Sequence, residues 1–148
     1  MRILASDGMD KSAIAALQAE GHEVVEQFYE PAELAEQVKQ YDVLVVRSAT
    51  KVRAPIIDAA KETGRLKLVI RGGVGVDNID VKYAEENGIA VRNTPRASSN
   101  TVAELALAHM LSVARYISAA GYTMRTGKWE KKAYKGIELS GRTLGVIG

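Results

Sequence analysis

At residues 42–47 the chain reads Asp42-Val43-Leu44-Val45-Val46-Arg47, which places four branched apolar residues in a row between two charged ones. A strand with one face in water alternates apolar and polar residues, whereas a parallel strand covered on both faces is continuously apolar. The run therefore predicts a central strand of a parallel sheet. Because parallel strands are joined by crossover connections, helices are expected before and after it.

Strand and helix patterns alternate on both sides of this run. Further apolar strands are predicted at residues 2–6, 23–27, 66–71 and 89–92. Helical patterns occupy residues 10–20, 31–40, 55–63 and 81–87. Five strands that alternate with helices predict an α/β fold, a flavodoxin-like parallel five-stranded sheet with helices on both faces and strand order 2-1-3-4-5.

The pattern changes after Pro95. Thr101 and Glu104 form a capping-box pattern, with Ser98 as an alternative cap, and they open a helix predicted to run to about Ala120. This helix is apolar almost all round. It is therefore expected to be buried between two layers rather than to lie on a surface.

The last part of the chain holds a polar arm at residues 122–140 and then residues 141–148, which read as a turn, a short strand and one glycine. A strand that ends in glycine is how a dinucleotide-binding βα unit begins, with the loop G-x-G-x-x-G. We therefore expect two domains. Residues 1–97 form the flavodoxin-like domain, and residues 98–148 hold the helix, the arm and the first strand of a truncated Rossmann domain.

Composition and charge exclude several functions. The formal net charge of +2 is too small to indicate nucleic-acid binding, and the lysines within residues 128–135 fit a solvated arm. The chain has no cysteine, so neither a disulfide nor a thiolate metal site can form. There is no signal-peptide pattern, and charged side chains interrupt the most apolar stretch, residues 102–120. The default expectation is a cytoplasmic enzyme or binding domain with no metal and no membrane span.

Two segments rich in ligand-binding groups follow neighbouring predicted strands. Residues 71–77 read Arg71-Gly72-Gly73-Val74-Gly75-Val76-Asp77, where bare amides can bind carboxylate or phosphate oxygens. The alternative is a tight turn that needs glycine for steric reasons. Residues 47–50 read Arg47-Ser48-Ala49-Thr50, and here the alternative is a surface arginine beside a hydroxyl-capped turn. Together, Arg47 and Arg71 on adjacent strand ends favour a small ligand with more than one negative charge.

Few other residues suggest chemistry. Asn93 follows the fifth strand and can add a side-chain amide to the same edge, although a turn before Pro95 also explains it. His109 is interpreted as a buried histidine of an apolar helix rather than as a catalytic base. No nucleophile beside a base and no pair of carboxylates is evident, so the sequence predicts binding and no catalytic residue.

Taken in order, these segments resemble the D-isomer-specific 2-hydroxyacid dehydrogenases over essentially the whole chain. The matching segments are residues 46–52, 71–80, 88–95, 103–106, 127–129 and 141–148. Within residues 71–80 the letters G-V-D-N-I-D are the strongest mark of the family. The letters R-S-A-T at residues 47–50 point to the branch that acts on 3-phosphoglycerate.

The resemblance implies hydride transfer between NAD and a 2-hydroxy acid, in a cleft between two domains. The substrate-binding residues that it implies are Arg47, Ser48, Arg71, Gly72, Gly73 and Asn93. Ser48 and the two glycines would face the substrate carboxylate region, and the arginines would favour a phosphorylated substrate such as 3-phosphoglycerate. For the cofactor, Val74 would lie against the nicotinamide, where the family often has threonine, and Gly148 would be the first glycine of the cofactor loop.

The resemblance also implies that part of the active site is missing. The family's catalytic arginine, glutamate and histidine match no residue up to 148, so we expect an N-terminal fragment that is inactive alone. The intact protein is expected to be a homo-oligomer, and the fragment can form a swapped or helix-paired dimer. Two alternatives stay open: another D-2-hydroxyacid dehydrogenase, such as a glyoxylate or hydroxypyruvate reductase, and a non-enzymatic module that binds a small anion.

Overall fold

A computed structural model describes residues 1–147, which divide into two compact units. The first unit is Met1–Ser98, and the second begins at Ser99. The two predicted domains, residues 1–97 and 98–148, have a similar boundary. Their expected roles, a substrate-binding domain and the start of an NAD-binding domain, stay predictions.

The first unit is built on a parallel sheet, as the continuous apolar run predicts. Within residues 1–147 the sheet has five strands, namely β1 (Arg2–Ala5), β2 (Glu23–Glu26), β3 (Val43–Val46), β4 (Leu68–Arg71) and β5 (Ala90–Asn93). All neighbouring pairs are parallel, and the order β2-β1-β3-β4-β5 confirms the predicted topology. The chain order reverses between β1 and β3, so the carboxyl ends of β1, β3 and β4 lie side by side.

Helices join these strands at the predicted positions. They are α1 (Lys11–Ala19), α2 (Pro31–Gln37), α3 (Ala54–Thr63) and α4 (Val81–Glu86), with a 3₁₀ turn at Val38–Gln40 after α2. Local sequence sets their ends. Asp10 accepts a hydrogen bond of 2.9 Å from the Ser12 amide and so caps α1. Gly64 ends α3 in the left-handed conformation, with a φ of 60°.

Strand β3 is buried on both faces. Leu44 and Val46 point into the larger core, among residues of α2, α3 and α4 such as Leu34 and Ile57. Val43 and Val45 belong to the smaller cluster on the opposite face, which α1 covers. Because side chains alternate along a strand, all four apolar residues of the run are removed from water, and the first polar residue is at the carboxyl end of the strand.

The second unit differs from its prediction in the length of its helix. Two helices are present, α5 (Ser99–Arg115) and α6 (Ile117–Arg125), rather than one that runs to about Ala120. Tyr116 separates them with a φ of 54°, and a right-handed helix cannot continue through a left-handed residue. The Tyr116 ring packs against that of Tyr134, with 5.8 Å between their centroids.

The expected burial of this helix and the expected terminal strand are both wrong for the described residues. Of α5, only Ala114 is buried in the part of the chain that the structure describes, and Val113 is 77% exposed. Residues 142–147 form no strand, and Val146 is 79% exposed. A strand needs a neighbour for its backbone groups, and the second unit has none up to residue 147. Gly148 lies outside the described residues.

None of the described helices is long and apolar enough to cross a membrane.

We expect Leu44→Ala to lower the free energy of unfolding by about 2–5 kcal/mol, because Leu44 is fully buried and its loss leaves a cavity. Leu105→Ala is the matched control, since Leu105 is largely exposed on α5 and its loss should change stability by less than about 0.5 kcal/mol. Urea unfolding followed by circular dichroism measures both. Equal effects of the two substitutions would contradict the described core.

Candidate functional site

The predicted site residues lie at the carboxyl ends of three adjacent strands. Arg71 pairs in register with Val46 of β3 on one side and with Asn93 of β5 on the other. Paired residues of a parallel sheet direct their side chains to the same face. The side chains of Arg71 and Asn93 therefore leave the sheet on the face of Val46, which is the face of the larger core. Arg47 follows Val46 and lines a groove beside α1, on the opposite face. The two arginines therefore lie at the carboxyl ends of neighbouring strands, and their side chains are on opposite faces of the sheet.

In the turn after β4, close packing rather than an unusual backbone angle is the constraint at Gly73. A Cβ atom at Gly73 would overlap the Arg71 guanidinium, and one at Gly72 would lie 3.6 Å from Cγ of Arg47. Neither glycine has a positive φ. The two arginine side chains therefore lie against this turn, one on each glycine, and any larger residue at Gly73 would displace Arg71.

Only some of the amides that the sequence places in this turn, residues 71–77, are free to reach a ligand. The Gly72 amide donates to the carbonyl of Val46 at 2.8 Å, and the Gly73 amide donates to the carbonyl of Arg71 at 2.9 Å. Both are thus engaged inside the chain. The amides of residues 74–76 have no acceptor within residues 1–147. The backbone donors free to bind an anion therefore follow the double glycine instead of forming part of it.

The remaining predicted residues have mixed environments. Ser48 is exposed, and neither its hydroxyl nor its amide has a partner within the described part of the chain. Asn93 donates through Nδ2 to the carbonyl of Val74 at 2.6 Å, so its amide group supports the loop. The Val74 side chain is 48% exposed. Nε of Arg71 is buried and has no acceptor among residues 1–147.

Asp7 organises the loop after β3, and the sequence analysis did not identify it. Its carboxylate follows β1 and accepts hydrogen bonds from the amides of Arg47 at 2.6 Å and Thr50 at 3.0 Å. It also accepts the Thr50 hydroxyl at 2.5 Å, and that hydroxyl is 2.8 Å from the hydroxyl of Ser6. The sequence did contain a signal for it, because Asp7 is an acidic residue directly after the predicted strand at residues 2–6, and that strand neighbours β3.

Asn78 contacts the same loop from the other side. Its Nδ2 donates to the carbonyls of Arg47 at 2.8 Å and of Thr50 at 2.7 Å. The side chain is buried, with 6% of the residue exposed. A short parallel bridge between Val52 and Ile79 joins the two segments just beyond these contacts. The loop at residues 47–50 is therefore hydrogen-bonded through its amides to Asp7 and through its carbonyls to Asn78.

The carboxyl of Asp7 is held in its ionised form. Burial raises its pKa, but hydrogen bonds from the hydroxyl and amide of Thr50 and from the amide of Arg47 lower it by more, so the pKa of Asp7 lies below its usual value. The carboxylate is consequently charged at neutral pH and remains a full acceptor for the loop.

A groove of about 890 Å³ opens beside this edge on the α1 face. Apolar side chains such as Leu17, Val45 and Ile70 form its floor and wall. Of the predicted site residues it brings together only Arg47 and Gly72. Of the other described ones, Gly73 and Val74 lie on the turn after β4, and Ser48 lies on the loop after β3. Arg71 and Asn93 start on the opposite face of the sheet.

Comparison with known proteins gives consistent matches. The family model described as D-isomer specific 2-hydroxyacid dehydrogenase, catalytic domain, matches residues 3–137. A hydroxypyruvate reductase of Thermotoga maritima is 51% identical over 99% of this chain and 47% of its own length. A D-3-phosphoglycerate dehydrogenase of Methanocaldococcus jannaschii is 48% identical over 100% of this chain and 28% of its own length. The chain thus spans less than half the length of these relatives.

Solved structures show the same fold. The TT0316 protein of Thermus thermophilus superimposes with a TM-score of 0.81 and 30% identity, over 95% of this chain and 46% of that one. A 3-phosphoglycerate dehydrogenase of Entamoeba histolytica with bound NAD⁺ gives a TM-score of 0.68 and 30% identity, over 94% of this chain and 43% of that one.

We expect the stabilising effect of Asp7 to depend on pH. A carboxyl whose pKa is lower in the folded chain than in the unfolded one stabilises the fold above the unfolded pKa, about 3.9, and this contribution is lost as the pH falls through the folded value. Asp7→Asn should therefore lower the free energy of unfolding at pH 7 by about 1–3 kcal/mol, with the difference from the wild type shrinking below about pH 4. Denaturant unfolding between pH 7 and pH 3 measures it.

The control for this prediction is Asp58→Asn, which removes an exposed carboxylate of α3 that lies outside the site. A difference between wild type and Asp7→Asn that stays constant down to pH 3 would contradict the ionised carboxylate as the cause.

Proposed function

The chain belongs to the D-isomer-specific 2-hydroxyacid dehydrogenase family, and we propose that it is the substrate-binding part of an NAD-dependent D-3-phosphoglycerate dehydrogenase. In this proposal the intact enzyme oxidises 3-phosphoglycerate to 3-phosphohydroxypyruvate in cytoplasmic serine biosynthesis. Family membership favours an oxidoreductase over the non-enzymatic module that the sequence left open. The residues of this chain bind and orient the substrate, and none of them is assigned a catalytic role.

The position of Arg47 and Arg71 carries the proposal. Their side chains lie on the two glycines of one turn, and they leave the sheet on opposite faces. Two cations on the two sides of a turn suit a small ligand whose negative charges are at its two ends. 3-Phosphoglycerate is such a ligand, since a carboxylate and a phosphate terminate its three carbons. Guanidinium groups bind both kinds of oxyanion with paired, charge-assisted hydrogen bonds.

Three features of the same edge support an anion here. Nε of Arg71 is a buried donor with no acceptor in the described residues, and a ligand oxygen would supply one. The amides of residues 74–76 and the exposed hydroxyl of Ser48 are further free donors. In the proposal Gly73 provides the space for the Arg71 guanidinium, Gly72 contacts the side chain of Arg47, and Asn93 holds the loop through the carbonyl of Val74.

NAD is the proposed oxidant, and the chemistry it supplies when bound is the acceptance of a hydride from the carbon that carries the hydroxyl. The residues present fit an aromatic ring beside residues 74–76, because an exposed valine side chain and unpartnered amides occur together there. Val74 is accordingly proposed to contact the nicotinamide. Gly148, proposed as the first glycine of the cofactor loop, lies outside the described residues.

The proposal also states what this chain can bind and catalyse by itself. Because it spans only 28% to 47% of the two relatives described above, we expect it to bind 3-phosphoglycerate weakly and to transfer no hydride by itself. Calorimetry with 3-phosphoglycerate and with NAD, together with an NADH absorbance assay, tests this on the 148-residue chain. A homo-oligomeric intact enzyme, and a swapped or helix-paired dimer of this chain, are expectations of the same proposal, and gel filtration tests them.

Hydroxypyruvate reduction is a second candidate function. The observation that favours it is the 51% identity to the hydroxypyruvate reductase of Thermotoga maritima. Hydroxypyruvate carries a carboxylate and no phosphate, so this function would use one of the two arginines and leave the other without a substrate charge. Turnover of phosphorylated and unphosphorylated substrates therefore distinguishes the two candidates.

In the proposal Arg47 binds the phosphate, so we expect Arg47→Ala in the intact enzyme to lower kcat/KM for 3-phosphoglycerate by about 10- to 100-fold, the effect of losing one charge-assisted hydrogen-bond pair. The kcat/KM for unphosphorylated D-glycerate should change far less. Arg65→Ala is the matched control, because Arg65 pairs with Asp42 at the amino end of the sheet. NADH absorbance measures all of these rates. Equal turnover of both acids by the wild type would overturn the choice of 3-phosphoglycerate and support the second candidate.

A further inference from the structure

We propose that Asp7 and Asn78 are positioning residues that hold the loop at residues 47–50 in its substrate-binding conformation, one from each side. The inference rests on the proposed function, since it assigns Arg47 and Ser48 of this loop to the substrate. Neither Asp7 nor Asn78 touches the substrate. Each acts on affinity through the backbone of the loop.

Asp7 holds the loop by accepting hydrogen bonds from the donors of the loop. One carboxylate accepts the amide of the first loop residue, Arg47, and both the amide and the hydroxyl of the last, Thr50. The two ends of the loop are thus bound to a single rigid group that extends from β1. The Thr50 hydroxyl, itself within hydrogen-bond distance of Ser6, is buried, so these contacts are not exchanged for water at little cost.

Asn78 holds the same two residues, Arg47 and Thr50, by donating hydrogen bonds to their carbonyl groups. Its amide nitrogen carries two hydrogens in one plane, and it donates one to the carbonyl of Arg47 and one to the carbonyl of Thr50. The spacing of those two carbonyls is therefore set by the geometry of one amide group. Aspartate has nearly the same shape but no donor, and at this position it would place a carboxylate against two carbonyl oxygens.

The consequence is a loop with few free groups. The amides and carbonyls of Arg47 and Thr50 are used internally, and the backbone of Ala49 also faces Asp7, so the donors that the loop offers a ligand include the Arg47 guanidinium and the hydroxyl and amide of Ser48. A loop already held in its binding conformation loses less conformational freedom when the ligand arrives, and this increases affinity.

The contacts of Asn78 also join this loop to the free amides of residues 74–76. The Val52 amide donates to the carbonyl of Asn78 at 2.9 Å, and the Asp80 amide donates to the carbonyl of Val52 at 3.0 Å. Nη2 of Arg53 donates to the carbonyl of Asp77 at 2.8 Å. The two segments that offer donors to the substrate are therefore fixed relative to each other, as binding a ligand at both ends requires.

Two residues at a distance from the site make similar contacts and serve as controls. Asp42, before β3, accepts the amide of Arg2 at 2.5 Å and Nε of Arg65 at 3.0 Å, and its pKa is likewise lowered, chiefly by the hydrogen bond from Arg65. Asn87, after α4, donates through Nδ2 to the carbonyl of Tyr83 at 2.8 Å. Asp42→Asn and Asn87→Asp therefore disturb hydrogen bonds of the same two kinds, accepted by a carboxylate and donated by a side-chain amide, without touching the loop.

The test compares Asp7→Asn and Asn78→Asp with these two controls in the intact enzyme. We expect KM for 3-phosphoglycerate to rise about tenfold in both loop variants, with much smaller changes in kcat and in KM for NAD. Both controls should keep the wild-type KM even where their melting temperature falls by a similar amount. An unchanged KM in the loop variants, or an equal rise in the controls, would overturn the inference.

A milder pair of variants keeps the test decisive if Asn78→Asp does not fold. Thr50→Val removes the hydroxyl that Asp7 accepts, whereas Thr50→Ser retains it, so KM should rise in the first and stay near wild type in the second. Equal KM values for the two would count against the role of Asp7.

Amide hydrogen exchange separates this inference from the proposed function. If the wild type turns over no 3-phosphoglycerate, the proposed function fails, yet the exchange rates of the Arg47 and Thr50 amides still report on the loop. Faster exchange of these two amides in Asp7→Asn than in Asp42→Asn supports the positioning role. Unchanged protection in Asp7→Asn refutes it.

Discussion

The burial of β3 on both faces is the constraint on which the rest of the first unit depends. With Leu44 and Val46 in one core and Val43 and Val45 in the other, no side chain along the strand can supply a charge or a hydrogen bond. Polar chemistry is therefore confined to the ends of the strand. At the carboxyl end the chain must also leave the sheet, and its backbone groups lose their neighbours there. The ligand-binding groups and the unsatisfied backbone groups consequently arise at the same few residues.

The carboxylate of Asp7 and Nδ2 of Asn78 satisfy those backbone groups. Asp7 comes from the strand on one side of β3, and Asn78 comes from the segment beyond the strand on the other side. The strand order places both within reach, because β1 and β4 are the two neighbours of β3. A sheet in which β2 lay beside β3 would move Asp7 away from the loop. The topology, more than any local motif, thus determines which residues can order this edge.

Sequence patterns predicted the elements of the first unit well and its contacts poorly. The apolar run at residues 43–46 fixes its own burial, because four successive apolar residues have no face for water. The amides of residues 71–77 were expected to be free as a group, but the Gly72 amide is engaged by the carbonyl of Val46, an acceptor that the register between β3 and β4 provides and the sequence does not reveal. In the second unit the helical pattern continued past Tyr116, where one left-handed residue ends the helix. The ring of this residue, Tyr116, packs against Tyr134, and periodicity reports neither that contact nor the backbone angle.

A carboxylate beside a site for anions needs a physical reason, since its charge opposes the ligand. The reason is the number of hydrogen-bond donors that surround Asp7. Three donors converge on Asp7, and two carboxylate oxygens can accept all of them, whereas an asparagine would offer one oxygen and turn two further donors toward them. The donors also draw the negative charge toward the backbone, away from the ligand side of the loop. Arg47 and Arg71 keep two guanidinium groups at the same edge of the sheet as Asp7, so the loop gains its order while cations that can bind an anion remain next to it.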